Sequence, residues 1–309
     1  LKKILLSLCF IPLFLSAADF NQGFSGNISL GFGIRDIKSN LSPLADRDYI
    51  NSINENPHSS TDASMLLGFE LYYGGLIDND RLFLKNYNGR DISGISLGYE
   101  RAYLEKFTSS FAFVSSLREK AYANPYLIKQ NREETDVSKF GIKLGTSYEI
   151  DALQNINLSY LFAKNKIDKE LIPYNSLKRE GYFHQIELKY NYSFFNAGIN
   201  YDYNDADGKA QSFSRYGVSA GINHPFMQDY ILSPEIAFNK IEAKKTNVLY
   251  NKKASGNEIK FNLKVVKNNF LDNKNLYSYA TYILKKENND INFYDETYQI
   301  FLAGIGYRF

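Results

Sequence analysis

The chain has 309 residues, with Lys+Arg 36 against Asp+Glu 34, and setting aside Lys2 and Lys3 leaves the two signs equal. That balance argues against a general nucleic-acid binder, which carries a basic excess. Mean hydropathy is −0.36, and beyond the N-terminal stretch no apolar run approaches the ~20 residues of a membrane helix; yet Tyr 25 and Phe 23 with Trp 0 are a heavy aromatic load for a water-soluble domain.

Lys2 and Lys3 open a short basic region, Ile4 to Leu15 is apolar, and Ser16-Ala17-Ala18 supplies small residues for cleavage before Asp19. The pattern predicts a signal peptide over residues 1–18, too short to span a bilayer comfortably. Cys9, the only cysteine, lies inside this apolar stretch. Leu8 precedes it, where a lipoprotein signal would want a small residue, so Cys9 is read as part of the discarded peptide. Residues 19–309 then hold no thiol, no disulfide and no cysteine metal site.

From there on the apolar period is two. Ile28, Leu30, Phe32 and Ile34 alternate with small or polar residues, as do Met65, Leu67, Phe69, Leu71 and Tyr73, then Ile95, Leu97 and Tyr99. Phe140, Ile142, Leu144, Thr146, Tyr148 and Ile150 stand against Gly141, Lys143, Gly145, Ser147 and Glu149. Ile186 to Tyr192, Ile199 to Tyr203 and Ile259 to Val265 repeat the pattern. Each run suits a tilted strand of ~9–11 residues crossing a bilayer core. No helical stripe survives three turns outside the signal. The fold predicted is all-β: one antiparallel transmembrane β-barrel over 19–309, with no second domain.

Connections alternate in size, as short turns at one end of a barrel and longer loops at the other would. Short ones fall near Leu104–Lys106, Asp151–Gln154, Ser193–Phe195, Pro225–Asp229 and Asn268–Asn275. Long ones fall near Lys38–Ser60, Glu119–Asp136, Asp168–Gly181, Asp205–Ser212, Lys244–Gly256 and Asn288–Asn292. Fourteen strands result if Arg81–Tyr87 is a weak strand closed by a tight Asn88-Gly89 turn; twelve result if Asn21–Ile37 lies outside the wall. The alternation of Ile28–Ile34 favours fourteen.

Candidate chemistry is sparse. His58 sits in the first long loop, His184 near a barrel rim and His224 beside Pro225 in a short turn, at two different ends, so they form no common metal site. Asp205 and Asp207 read as an Asp-Ala-Asp-Gly turn. No catalytic constellation and no cofactor motif is present. The expectation is therefore no enzyme and no cofactor.

The inward parity is more informative. Glu70, Lys143, Glu149, Glu187, Lys189, Asp202, Arg215, Glu235, Lys260 and Lys264 all share it. Charges of both signs would be costly in a soluble core but suit a watery or ion-paired lumen. They are the expected pore lining, and their mixed sign predicts weak ion selectivity. Glycines at alternate strand positions are expected to kink the wall or keep the lumen open. Lys240, Lys244, Lys245, Lys252 and Lys253 cluster in one loop region, suited to phosphates of a surface glycolipid or to drawing anions to the mouth.

The chain finishes Phe301-Leu302-Ala303-Gly304-Ile305-Gly306-Tyr307-Arg308-Phe309, with Phe301, Ala303, Ile305, Tyr307 and Phe309 on one face. This ending resembles the C-terminal signal of Gram-negative outer-membrane β-barrels, with Gly304, Tyr307 and Phe309 in the characteristic places. Leu302 departs from it, since that family usually has a polar residue there. The resemblance implies an outer-membrane location and contact with outer-membrane lipid and surface glycolipid. It also implies assembly by periplasmic chaperones and the barrel-assembly machinery. Two functions remain open: passive diffusion of small hydrophilic solutes through a narrow porin-like channel, or a non-conducting surface barrel whose loops serve as an adhesin or interaction site. The Lys38–Ser60 loop is long enough either to fold inward or to reach outward.

Overall fold

The computed structural model describes residues 20–309 apart from 104, 105 and 118. The expected signal peptide, 1–18, lies outside the described residues. The wall is built from β1 (Gly23–Lys38), β2 (Ser59–Gly74), β3 (Asp80–Asn88), β4 (Ser93–Tyr103), β5 (Phe107–Ser116), β7 (Glu134–Asp151) and β8 (Gln154–Ile167). It continues with β9 (Gly181–Tyr192), β10 (Phe195–Ala206), β11 (Phe213–Ile222), β13 (Tyr230–Ala243), β14 (Gly256–Lys267), β15 (Leu276–Asn289) and β16 (Glu296–Arg308). β6 (Glu119–Tyr122) prolongs β5 along β7, and β12 (His224–Met227) prolongs β11 along β13. Every pairing is antiparallel between neighbours in sequence, and β16 pairs back onto β1 from Asn27↔Arg308 to Lys38↔Thr297. The result is a closed 14-strand barrel. Closure matters because a strand edge open to hydrocarbon leaves its N–H and C=O groups without partners.

The alternation read from sequence holds along the wall. Phe32, Ile34, Leu67, Leu97, Phe113, Phe140, Leu144, Ile199 and Ile305 stand exposed on the outer face, where lipid is the solvent. Aromatics gather at the end that carries the short turns: Phe24, Tyr73, Tyr103, Phe107, Tyr148, Tyr192, Phe195, Phe226, Tyr307 and Phe309. Rings with an apolar body and a polar tip favour that interface. Phe309 stacks on Phe24 at 5.3 Å between centroids and exchanges backbone hydrogen bonds with Gly26 at 2.9 and 3.0 Å, which fastens the closing seam. His224, expected in a turn, lies in β12, exposed on the rim.

Leu302, where the resembled family usually has a polar residue, points inward, fully buried against Leu66, Ile283 and Ile300, so this side of the lumen is filled. Two glycines of β16 make room for packing: a Cβ on Gly304 would strike the Leu30 carbonyl oxygen and then the ring of Tyr279, and one on Gly306 the ring of Tyr277. Both tyrosines are buried, with Val266, in a small apolar cluster. Glycine is needed because an aromatic ring lies flat against the wall.

Leu144 and Lys143 are adjacent on β7 and face opposite ways: Leu144 is exposed to lipid, while the Lys143 ammonium sits 5.3 Å from the centroid of Tyr87 inside. Leu144→Lys is expected to destabilise the folded barrel by about 2–4 kcal/mol if the site lies at the bilayer midplane, with a clearly smaller loss for Lys143→Leu, measured by urea titration in liposomes. Equal losses would contradict the facing of β7.

Candidate channel lumen and its inserted hairpin

β2 has 16 residues and β3 only 9. They pair over Glu70↔Lys85 to Gly74↔Arg81, after which the Asn86 side chain accepts the Phe69 N–H at 2.5 Å and ends the ladder. β3 continues in register with β4 up to Asn88↔Ser93. The turn between them closes with Gly89 N–H donating to the Ile92 carbonyl at 2.8 Å. Sequence marks this as a plain tight turn at the rim. In the structure it is a short hairpin whose tip leans across the lumen.

Charge and apolar contact hold the tip there. Ile92 is buried against Val114, Leu161 and Ala163 on the inner faces of β5 and β8. The Arg90 guanidinium grips Asp202 with two bonds, 2.8 and 2.7 Å, and reaches Glu187 at 2.8 Å. Arg215 donates to the same Asp202 at 2.8 Å and also binds the Asp91 carboxylate. Gln185 donates to Asp91, and Lys139 donates to the Asp91 carbonyl at 2.7 Å. Lys189 pairs with Glu187 at 2.9 Å. Asp202 and Arg215 face each other directly across β10 and β11. Bidentate guanidinium–carboxylate bonds are the strong kind, and here both partners are largely shielded from water.

The hairpin divides the lumen. On the turn side lies a cavity of about 280 Å³ bounded by Tyr87, Lys143, Lys189, Asn200, Glu235, Lys260 and Lys264. On the loop side lie cavities of about 360 Å³ each. Below, toward the turns, the inner face of β7 to β11 carries Gly145, Ser147, Asn155, Asn157, Asn191, Asn196 and Gly198. Asn155 accepts from Asn157 and Asn191 at 2.7 and 2.6 Å, a polar strip with small side chains.

Above, the long loops close over the mouth. Ile50, Tyr126, Ile172, Leu177, Ala210, Ile291, Phe293 and Tyr294 form one buried apolar cluster drawn from five loops, with Leu249 and Tyr250 of a sixth packed on it. Gln211 donates to the hydroxyls of Tyr126 and Tyr294 at 3.0 Å, and Asn247 to Tyr294 at 2.8 Å. Burial pushes both phenols up, Tyr126 well up, so they stay neutral and cap the cluster. The first loop, Ser39–His58, is therefore part of the cap, and its Ser42 and Leu44 also border the loop-side cavity beside the hairpin tip. Its one-turn segment Pro43–Ala45 touches β2 and β6, and Arg132 binds the carbonyls of Asn40 and Arg47, tying it to the loop before β7. Both sides of β2 thus meet protein at this level, although no described strand pairs with its second edge above Phe69.

All the inward residues named from sequence do face inward. Asp202, Arg215, Glu187 and Lys189 meet in the clasp; Lys143, Glu235, Lys260 and Lys264 bound the turn-side cavity; Glu70 is buried beside Asn27; Glu149 lies near the turn end. Lys240 pairs with Glu242 at the barrel surface, and Lys244 donates to Ser214. His184 packs on the outer face with Tyr160, Phe162 and Tyr203. Arg90, Asp91, Lys85, Lys139, Glu258 and Lys285 are further lumen charges that escaped the sequence reading. Glu258 shares the parity of Lys260, so alternation would have found it; nothing local marks Arg90 and Asp91.

Removing one member of a buried ion cluster leaves the others unpaired. Asp202→Ala is expected to cost about 3–5 kcal/mol, because Arg90 and Arg215 both lose their shared carboxylate. Asp205→Ala, which breaks the exposed pair with Lys209 and a long 3.4 Å hydrogen bond from the Tyr203 hydroxyl, should cost less than about 1 kcal/mol. Urea titration of liposome-folded protein gives both values, and comparable losses would contradict the clasp.

Among solved structures, the chain is similar to two variants of the TodX monoaromatic hydrocarbon channel. The deltaS2 mutant gives 10% identity, TM-score 0.53 and coverage of 94% of this chain and 91% of that one. The deltaS2S3 mutant gives 9% identity, TM-score 0.52 and the same coverage, 94% and 91%. A FadL homologue from Pseudomonas aeruginosa aligns at 9% identity over 92% of this chain and 90% of that one, with TM-score 0.46. At these identities the likeness is one of fold, that of outer-membrane β-barrels. No curated protein sequence matches. The profile of the family described as "Protein of unknown function (DUF2860)" matches residues 23–308, the same span as the wall from β1 to β16, and the chain belongs to that family.

Proposed function

We propose that this barrel is an outer-membrane channel for small hydrophilic solutes, with the β3–β4 hairpin setting how far its lumen is open. The observation that carries the reading is the hairpin tip itself. A barrel needing only to be stable could fill its lumen with apolar side chains at less cost, since replacing buried ion pairs by hydrophobic residues is often neutral or stabilising. Here a mainly polar cavity remains on the turn side of a tip held by Arg90 and Asp91, and one lined by both charged and apolar side chains on the loop side. An ion-paired hairpin joined to its wall neighbour β2 by a short ladder is a part that can move. Similarly folded channels carry monoaromatic hydrocarbons; the charges on this lumen suit hydrophilic cargo instead. The terminal strand, with Gly304, Tyr307 and Phe309, would be read by periplasmic chaperones and the barrel-assembly machinery. The loop cap would face outward beside the surface glycolipid.

A second reading rests on that cap. Loops packed around a common apolar core make a firm outer surface, suited to an adhesin or other interaction site. Liposome swelling separates the two. Proteoliposomes carrying the wild type should swell slowly with small neutral sugars, and those carrying Arg90→Ser with Asp91→Ser should swell faster. No swelling with either, from protein verified as folded by its gel mobility, would overturn the channel reading in favour of the surface one.

A further inference from the structure

We propose that the turn-side cavity is a selectivity site for small anions bearing carboxylate or phosphate oxygens; this rests on the channel reading and assigns its solute class. Position is the first argument. Lys143 on β7 and Lys189 on β9 enter the cavity from one wall, Lys260 and Lys264 on β14 from another, and Arg90 from the hairpin above. Cationic groups from separate walls converge on one small chamber.

The charge balance is the second argument. Around the clasp, Arg90, Arg215 and Lys189 are matched by Asp91, Asp202 and Glu187. Glu258 is matched by Lys285 at 3.2 Å. Lining the chamber itself, Arg90, Lys143, Lys189, Lys260 and Lys264 stand against Glu187, Glu235 and Glu258. The excess is positive whichever way the individual pairs form. In a confined lumen with low-dielectric walls such an excess raises the local concentration of anions, and rings of Lys and Arg are the usual device of anion and phosphate pores.

A neutral donor is the third. Asn200 borders the chamber, and its buried side-chain Nδ2 has no hydrogen-bond partner among the described residues. Ser159, Ser219 and Thr281 add hydroxyls on the same lining. Cations for charge and neutral donors for orientation are what a carboxylate or phosphate oxygen requires.

Reversal potential in planar bilayers under a KCl gradient tests this. The wild type is expected to prefer chloride, and inorganic phosphate or succinate on one side should reduce the chloride current. Changing Lys143, Lys260 and Lys264 together to Gln should move the reversal potential toward the cation side and relieve that block. Changing all three to Arg, which keeps the charge, should preserve both. A conducting wild type without anion preference, or a Gln triple variant with unchanged selectivity, would overturn the assignment while leaving the channel reading intact. Absence of any current from both the wild type and the Arg90→Ser, Asp91→Ser variant would overturn the channel reading itself.

Discussion

The constraint behind the whole structure is that backbone groups in hydrocarbon must be paired within the protein. It closes β16 onto β1, and because the closing pair is antiparallel like the others the strand number is even. It also explains why the short hairpin is consequential. β3 is too short to accompany β2 to the loop end, so its tip is released from the wall ladder after Glu70↔Lys85. A released hairpin with charged residues at its tip has two polar environments available, the aqueous mouth or the lumen. Asp202 and Arg215, already opposite each other on the far wall, offer the lumen a partner for each of its charges. The first loop then folds down beside β2, with Pro43–Ala45 against both β2 and β6.

The remaining features follow from this division. One side of the lumen is filled by Leu66, Ile300 and Leu302 and by tyrosines lying on strand glycines. The other side is left to small and amide side chains along β7 to β11. The hairpin tip is fastened against that polar wall through Glu187, Asp202 and Arg215. The cap does not rest on the hairpin: its apolar cluster draws on the loops after β1, β6, β8, β10, β13 and β15.

Much of the wall was legible because a period of two is a direct readout of which solvent each face meets. The run from Phe140 to Ile150 assigned both Leu144 and Lys143 to their correct sides, and the ending at Phe309 marked the closing strand. Arg81–Tyr87 was legible as a strand only through the need for an even number. The inward lean of Arg90 and Asp91 was not legible, because Asn88-Gly89 has the same composition whether a turn sits at the rim or inside. What decides it is the difference in length between β2 and β3 and the facing pair Asp202 and Arg215, two facts far apart in sequence. The cap was illegible for a related reason: Ile50, Tyr126, Leu177 and Phe293 look like stray apolar residues in polar loops until the loops meet. The packing of Tyr277 and Tyr279 against Gly306 and Gly304 was not legible, because sequence does not tell an empty lumen from one occupied by a ring.

The claim that the hairpin tip lies inside the barrel can be measured directly. From Gly23 onward the chain has no cysteine, so cysteines placed at Gly89 and Ile283, which border the same cavities on both sides of the constriction, would be the only thiols of the wall. A short bifunctional thiol reagent applied to folded protein in liposomes should join them, whereas a pair at Gly89 and the exposed outer-loop residue Val248 should stay unjoined. A Gly89 cysteine that links to Val248 and not to Ile283 would place the tip above the rim and contradict the account.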